Sequence, residues 1–508
     1  MSWSKETSTR EALACISAAN LCFLDVWSTW ITPARQYHLL ILPRPLDFGL
    51  TLLNVVGVAF LMFVLLVFAR RWVGERAAGA VSLAYLLLIL IFIAKAYDLD
   101  ISWPNRLRAL MSASAAAGLF AIWKSPAAMP KIFRSIGLFL LPCLAVTTAH
   151  SAESLLLRHV ESGSALSRPA HVLHHAPKAA RTALIVFDML DFDLLFNHKS
   201  LDVDVPEFER LRTETLFARN AMSPAGFTEE ALPAMTIGKV VTDSTPVSSD
   251  DLLLTIAGSS RKTPWSLQPT IFSEARNSGM AVGLVGWYHP YCRLFRAMLS
   301  TCEWVPIPDK LKDRGLTAWN TERALISAIV QNLVGPGPNL IETVLRDEEN
   351  GRRKYIDAYQ RLLSAATAAL TNPALDLVVV HLSVPHTPPI YDRATRQFTT
   401  DHGDYLDNLA LADRTLGVLR QEMERAEVWE TTNVIVTADH GFRSTGPPSW
   451  NHIATPLHVP FFLKMGGSGE EIQDDHRFNT IVVHDLLLGL LNRTITTPVE
   501  AEDFLDQR

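Results

Sequence analysis

The apolar residues of this chain are gathered at one end, and that asymmetry limits what it can fold into more than any single motif does. Five stretches of near membrane-spanning length follow one another before residue 150: about Leu13–Ile31, Phe48–Ala69, Ala77–Ala96, Leu107–Trp123 and Ile132–Ala149. A helix needs ~20 mostly apolar residues to cross a bilayer. The second and third contain LLNVVGVAFLMFVLLVFA and LAYLLLILIFIA, runs more apolar than a buried core helix needs. The first carries Asp25 and the fourth is rich in Ala and Ser, so their signals are weaker. Asp25 is open to two readings, a functional carboxylate or a residue facing other helices. The later residues have the composition of an ordinary globular domain, and the early excess lifts the mean hydropathy to +0.15.

Basic residues flanking the spans set an expected orientation. Lys5 and Arg10, then Arg70, Arg71 and Arg76, then Lys124, Lys131 and Arg134 mark the N-terminus and alternate connections as cytoplasmic. The other connections hold Arg35 and Arg44, then Arg106 and Arg108 offset by Asp98 and Asp100. Everything after His150 is then expected outside the cytoplasm. The first span is too long for a cleaved signal, lacks a small-residue cleavage site before Pro33, and reads as an anchor. Three of the five cysteines, Cys15, Cys22 and Cys143, fall in apolar spans. Cys292 and Cys302 are the pair left for a disulfide in an oxidising compartment. A net charge of -6 gives no hint of nucleic-acid binding.

Residues 151–180 read as a linker, and His171, His174 and His175 within it as a solvated cluster rather than a metal site. The soluble part, 181–508, is punctuated by short β-branched runs that suit buried parallel strands. One is Val434-Ile435-Val436, which leads into Asp439-His440-Gly441. Open α/β sheets bind ligands at the carboxyl ends of their strands. An Asp beside a His there suits a zinc-like divalent ion, with Gly441 allowing a sharp turn; the plain alternative is a helix-capping Asp and a surface His. A second run, Thr182–Phe187, ends in Asp188, with Asp191 and Asp193 as rivals and a turn Asp as the alternative.

Residues 206–220 have helical spacing. A Pro/Gly loop then delivers Thr228 to the start of a short helix, where a hydroxyl meets the positive end of the helix dipole. Such a hydroxyl is a candidate nucleophile; threonine is also a good N-cap, and the residues alone leave both open. Further strands are expected at 281–287, 376–382 and, last, 458–464. Charged helices are expected over 340–370 and from Asp404, and a C-terminal helix over Thr480–Leu491. His386 sits in the proline-stiffened loop after the 376–382 strand, and His452 follows the Asp439-His440 strand.

Taken together, IVFD, SPAGFTEEALPAMTIG, HLSVPHTPP, YLDNLALAD and VTADHG…HVPFFLK resemble, in order, the motifs of the sulfatase-like branch of the alkaline phosphatase superfamily. The resemblance spans about residues 180–465. With the apolar N-terminus, the layout is similar to lipoteichoic acid synthases and lipid A phosphoethanolamine transferases. It implies an α/β chain: a bundle of about five transmembrane helices over 1–150, then an alkaline-phosphatase-like α/β/α domain with a mainly parallel sheet. It also implies one divalent metal ion, zinc before manganese, on Asp188, Asp439, His440 and Thr228. Thr228 is the implied covalent nucleophile, with Pro233 five residues on as in the transferases. His386 and His452 match positions that hold substrate phosphate or a second metal.

The implied activity is transfer of a phospho-group from a membrane lipid or lipid-linked phosphodiester. The alternatives are a phosphodiesterase or phosphatase, a sulfuric ester hydrolase, and a non-catalytic membrane binding protein. Three departures stand out. Neither Ser223 nor Thr228 lies in the C/S-x-P-x-R motif of sulfate-ester hydrolases. Leu382 stands where two-zinc members carry an Asp, and Asp188 where the phosphoethanolamine transferases commonly have Glu.

Overall fold

The computed structural model describes residues 5–39, 42–96, 104–157, 180–197, 203–308, 340–443 and 455–508. The chain divides into two compact units, residues 1–36 with 41–167 and 314–340, and residues 37–40 with 168–313 and 341–508.

The first unit is helical. Its long helices are Lys5–Cys22, Pro45–Phe68, Glu75–Ala96, Pro104–Lys124 and Leu141–Leu157, with shorter ones at Leu24–Ile31 and Ala128–Phe139. Ala14, Ala18, Trp27, Phe48 and Phe133 form the centre of their shared core. Small residues allow close approach: a Cβ on Gly137 would come within 2.7 Å of the Ala14 Cα. Of the five spans expected, two are long and apolar enough to cross a membrane among the described residues, Pro45–Val73 and Ala128–Glu153. The first expected span is interrupted, since its helix stops at Cys22 and a new one starts at Leu24. Asp25's side chain lies outside the described residues.

The second unit is built on an eight-stranded sheet in the order β13-β2-β12-β11-β1-β8-β6-β7. These strands are β1 Thr182–Asp188, β2 Leu216–Met222, β6 Val282–Trp287, β7 Thr301–Val305, β8 Leu377–Pro385, β11 Asn433–Ala438, β12 Phe461–Lys464 and β13 Ile472–Asn479. All pairings are parallel except those of β12 with β11 and β2. Three strands, β3 Val241–Pro246, β4 Leu252–Ile256 and β5 Lys262–Pro264, make a small antiparallel sheet. A two-stranded ribbon joins β9 Tyr391–Asp392 to β10 Gln397–Phe398. β1 and β11 are buried along their whole length, as continuous apolar runs covered on both faces must be.

Several sequence expectations change here. The stretch 206–220 is helical only over Pro206–Arg212, and its second half is β2. Thr215, Leu216 and Phe217 are β-branched or bulky, and tertiary pairing with β12 and β13 outweighs the helical spacing. The strand at 458–464 is not the last, because β13 follows it at the sheet edge and a helix at Pro498–Asp506 closes the chain. The linker histidines His171, His174 and His175 lie outside the described residues. Cys292 and Cys302 are joined in a disulfide, with Cα atoms 5.6 Å apart.

Candidate functional site

β1 and β11 are adjacent parallel strands, pairing Phe187 with Ala438, so the next residue of each, Asp188 and Asp439, emerges at one sheet edge. Both carboxylates are fully buried, as is His440. The backbone after β1 makes room for this. Met189 takes a left-handed φ of 70°, a strained choice for a residue with a side chain. Its amide then donates to Asp439 Oδ1 at 3.1 Å. The His440 amide donates to the same oxygen at 2.7 Å. Asp439 Oδ2 is left facing inward, and there it accepts a hydrogen bond from Thr228 Oγ1 at 2.7 Å.

Thr228 opens the helix Thr228–Ile237 but does not cap it. The N-cap position is Phe227, and the threonine hydroxyl is spent on Asp439 instead of a backbone amide. Behind it, His289 is fully buried and its Nε2 donates to the Thr228 carbonyl at 3.2 Å. Burial holds the His289 pKa down at about 3, so the ring acts as a neutral strut.

The imidazoles set the character of the site. His440 Nδ1 sits 2.8 Å from the Gly441 carbonyl, and a carbonyl only accepts, so the hydrogen-bond network assigns the proton to Nδ1. Its Nε2 lone pair then faces Thr228 Oγ1 at 3.4 Å, with Asp188 Oδ1 and Asp439 Oδ2 each at 3.7 Å. His381, buried within β8, repeats the pattern. Its Nδ1 lies 3.2 Å from the Trp287 carbonyl and 3.1 Å from the Tyr291 hydroxyl. Its Nε2, without a partner among the described residues, points at Asp188 Oδ2 (4.0 Å) and Asp439 Oδ2 (3.9 Å). Burial pulls the His381 pKa to about 4, which keeps that lone pair free.

Two carboxylates and two imidazole nitrogens thus face one another among fully buried residues. Burial, reinforced by the charge of Asp439, pushes the Asp188 carboxyl well above the usual range. Four electron-rich groups repel one another in a low dielectric unless a cation lies between them. The donor set fits a divalent metal: N and O ligands, each imidazole anchored through its other nitrogen to a backbone carbonyl. A tetrahedral ion with bonds of about 2.0–2.1 Å needs ligand atoms roughly 3.3–3.4 Å apart, so the 3.7 Å spacings of His440 from the two carboxylates would close slightly around it, and His381 at 3.9–4.0 Å stands further back. Asp188, Asp439 and His440 together qualify as a metal-binding group.

Asp188 prevails over its sequence rivals for a visible reason. Asp191 turns away and accepts the amides of Leu194 (3.0 Å) and Phe442 (3.1 Å), with burial lifting its pKa to about 7. Asp193 pairs with His458 at 3.2 Å. Gly441 is needed for space and not for a positive φ: a Cβ there would lie 2.7 Å from Asp191 Oδ2 and 2.9 Å from the Thr455 carbonyl. Ser223, the other hydroxyl of the loop, hydrogen-bonds the carbonyls of Ala225 and Asp439.

His386 stays outside the cluster. Its ring packs against Trp287 with centroids 5.4 Å apart, and Nδ1 is 2.6 Å from the Thr387 carbonyl. Burial lowers its pKa. Trp287 in turn donates from Nε1 to Asp188 Oδ2 at 2.7 Å. His452 lies outside the described residues. His381 is the residue the sequence reading passed over as part of a strand. A lone histidine in the otherwise apolar run LVVVHL was the available signal.

A mainly parallel α/β sheet thus carries a buried Asp–Asp–His cluster able to hold a metal ion, with the Thr228 hydroxyl at a helix start beside it. The sulfatase family model matches residues 184–494, and the chain belongs to the sulfatase family, an enzyme of sulfo- or phospho-ester chemistry. The search of curated proteins returned no match. Among solved structures, a protein in the alkaline phosphatase superfamily from Vibrio parahaemolyticus is similar at 14% identity, covering 66% of this chain and 71% of its own, with a TM-score of 0.38. The phosphonate monoester hydrolase of Agrobacterium radiobacter is similar at 14% identity, with 62% and 77% covered and a TM-score of 0.37. A sulfatase from Pseudoalteromonas sp. is similar at 13% identity, with 62% and 68% covered and a TM-score of 0.36.

Proposed function

We propose that the protein is a membrane-anchored, metal-dependent phosphotransferase that takes a phospho-group from a lipid phosphodiester onto Thr228 and passes it to an acceptor. The hydrogen bond from Thr228 Oγ1 to Asp439 Oδ2 is the observation that carries this reading. It sets one hydroxyl against a metal-binding carboxylate at the start of a helix, the arrangement of an activated nucleophile.

Asp188, Asp439 and His440, with His381 beside them, would hold the ion. When bound, a divalent ion supplies Lewis-acid stabilisation of the ionised threonine and of the phosphoryl oxygens. Asp439 Oδ2 accepts the Thr228 proton's hydrogen bond and fixes the direction of attack. The Thr228 Oγ1–phosphorus bond forms as the bond from phosphorus to the leaving alkoxide breaks. The helix N-terminal amides face the equatorial oxygens. The proton leaving Thr228 and the one reaching the leaving alkoxide exchange with solvent, and His386 Nε2 would accept a hydrogen bond from the departing alcohol. Water or an alcohol then attacks phosphorus and returns Thr228 to its hydroxyl form. Zinc is favoured over manganese because imidazole ligands accompany the carboxylates.

The apolar helices Pro45–Val73 and Ala128–Glu153 support a membrane anchor, and the Cys292–Cys302 disulfide supports an extracytoplasmic catalytic unit. Anchoring raises the effective concentration of lipid headgroups. The missing C/S-x-P-x-R motif weighs against sulfate esters. Convergence of Thr228 with Asp188, Asp439 and His440 weighs against a purely binding role.

The test uses detergent-solubilised full-length protein with bis(p-nitrophenyl) phosphate and p-nitrophenyl sulfate. Metal-dependent turnover of the diester, abolished by chelation and restored by zinc, is expected. Turnover of the sulfate ester alone, or activity indifferent to chelation, would overturn the reading.

A further inference from the structure

Arg443 lies just beyond the metal cluster, and the functions assigned so far leave it unused. Its guanidinium stacks on Phe227, with Cζ 3.8 Å from the ring centroid. Phe227 immediately precedes Thr228 and is 55% exposed, so the stack reaches the surface beside the hydroxyl. Arg443 Nη2 is 3.4 Å from His440 Nε2, which places its outer edge alongside the atoms that face Thr228. Its Nε is buried and has no hydrogen-bond partner among the described residues. A guanidinium lying on an aromatic face keeps its plane fixed and presents its N–H groups edgewise, in the fork that matches a tetrahedral oxyanion. The charge also reaches the cluster: it opposes part of the burial that raises the Asp188 and Glu229 carboxyls and adds to the burial that lowers His386.

We propose that Arg443, held on Phe227, binds a non-bridging oxygen of the substrate while Thr228 attacks. This inference rests on the reading of Thr228 as the nucleophile. The substrate class follows from the geometry. One non-bridging oxygen belongs on the metal side of the group, beside Asp188 and His440, and another must reach the guanidinium. Phosphate diesters and sulfate monoesters have two such oxygens or more, whereas carboxylic esters have a single carbonyl oxygen and leave the guanidinium unmatched. Phe227, exposed beneath the arginine, is available to the apolar part of the leaving group.

The experiment compares wild type with Arg443→Ala, Arg443→Lys and Phe227→Leu, all as full-length protein. Bound zinc is measured by mass spectrometry, orthovanadate affinity by calorimetry, and turnover with bis(p-nitrophenyl) phosphate. Zinc content is expected to be unchanged in all three. Arg443→Ala is expected to weaken vanadate binding on the order of 10- to 100-fold, the scale of a lost hydrogen bond to a charged group. Arg443→Lys should recover part of it, and Phe227→Leu should lie between lysine and wild type. Unchanged vanadate affinity in Arg443→Ala would overturn the inference while leaving Thr228 as nucleophile. Zinc loss that parallels the vanadate loss would reduce Arg443 to a support for His440. A wild-type protein that turns over the diester without binding vanadate would also refute the clamp, whereas one that does neither would strike the parent reading first.

Discussion

Thr228 Oγ1 and Asp439 Oδ2 are 2.7 Å apart across 211 positions of sequence, and that hydrogen bond ties the helix start to the end of the neighbouring strand β11. It also separates the two roles a threonine can have at a helix start. Because Phe227 occupies the N-cap position, Thr228→Ala removes a buried hydrogen bond to a carboxylate and no cap. The cost to stability is about 1.5–3 kcal/mol. Turnover should fall by several orders of magnitude. Thr228→Ser keeps the hydroxyl and should keep part of the activity. Melting temperature and turnover measured on the same samples check this, and a Thr228→Ala protein with near-native turnover would shift attention to Ser223.

Metal retention should depend on Asp439 and His440 together. Either residue replaced by Ala is expected to lose the ion, measured as metal per chain after dialysis. Full occupancy in Asp439→Ala would show that the ion lies elsewhere.

His381 should matter to the ion without touching the nucleophile. Its Nε2 faces both carboxylates from 3.9 and 4.0 Å. His381→Gln is expected to weaken zinc affinity by about 10- to 100-fold, as loss of a supporting group does. Competition against a coloured chelator measures this, and an unchanged affinity would make His381 a packing residue of β8.

Gly441→Ala should disturb the same centre indirectly. The added Cβ would meet Asp191 Oδ2 and the Thr455 carbonyl, so the segment carrying His440 has to move. Reduced zinc affinity is expected, with the second-site change Asp191→Ala restoring part of it by clearing one of the two clashes.

The pH dependence of stability has a test far from the metal. Asp413 accepts the amides of Glu207 and Phe208, and burial raises its pKa from 3.8 to about 7. The folded state therefore holds a proton that the unfolded chain releases. The contribution of this group to stability is full below pH 3.8, falls as pH rises toward 7, and is flat above that. Asp413→Asn keeps an acceptor oxygen and cannot ionise. The wild-type protein should lose stability relative to Asp413→Asn across this window, by denaturant unfolding at each pH; a constant difference would contradict the assignment.

The strands that build the site were readable because parallel strands covered on both faces are written as uninterrupted β-branched runs. Val434–Val436 and Thr182–Phe187 showed both where they lie and which residue ends them. That is why Asp188, Asp439 and His440, which the fold gathers into one buried cluster, stood out in the sequence. β2 could not, because Leu216–Met222 has a mixed pattern with exposed Arg219 and Asn220, and only pairing with β12 and β13 makes it a strand. β13 is an edge strand with charged residues and a bulge, which hides its alternation. His381 and Arg443 escaped notice for a different reason. Their roles depend on which side of a strand end they reach, and single residues carry no periodicity to reveal that. Of the five expected membrane spans, two have the length and hydropathy of a crossing among the described residues, and apolar composition alone does not show a break such as that between Cys22 and Leu24.

A covalent threonine intermediate leaves the transferred group on the protein, where mass spectrometry can find it. Zinc-loaded full-length protein is incubated with phosphatidylethanolamine vesicles, quenched in acid, digested, and sequenced by mass spectrometry. Added phospho-group mass is expected on the peptide containing Thr228, localised to that residue and absent from the Thr228→Ala protein. Diester turnover with Thr228 unmodified at every time point, and the same turnover by Thr228→Ala, would contradict it.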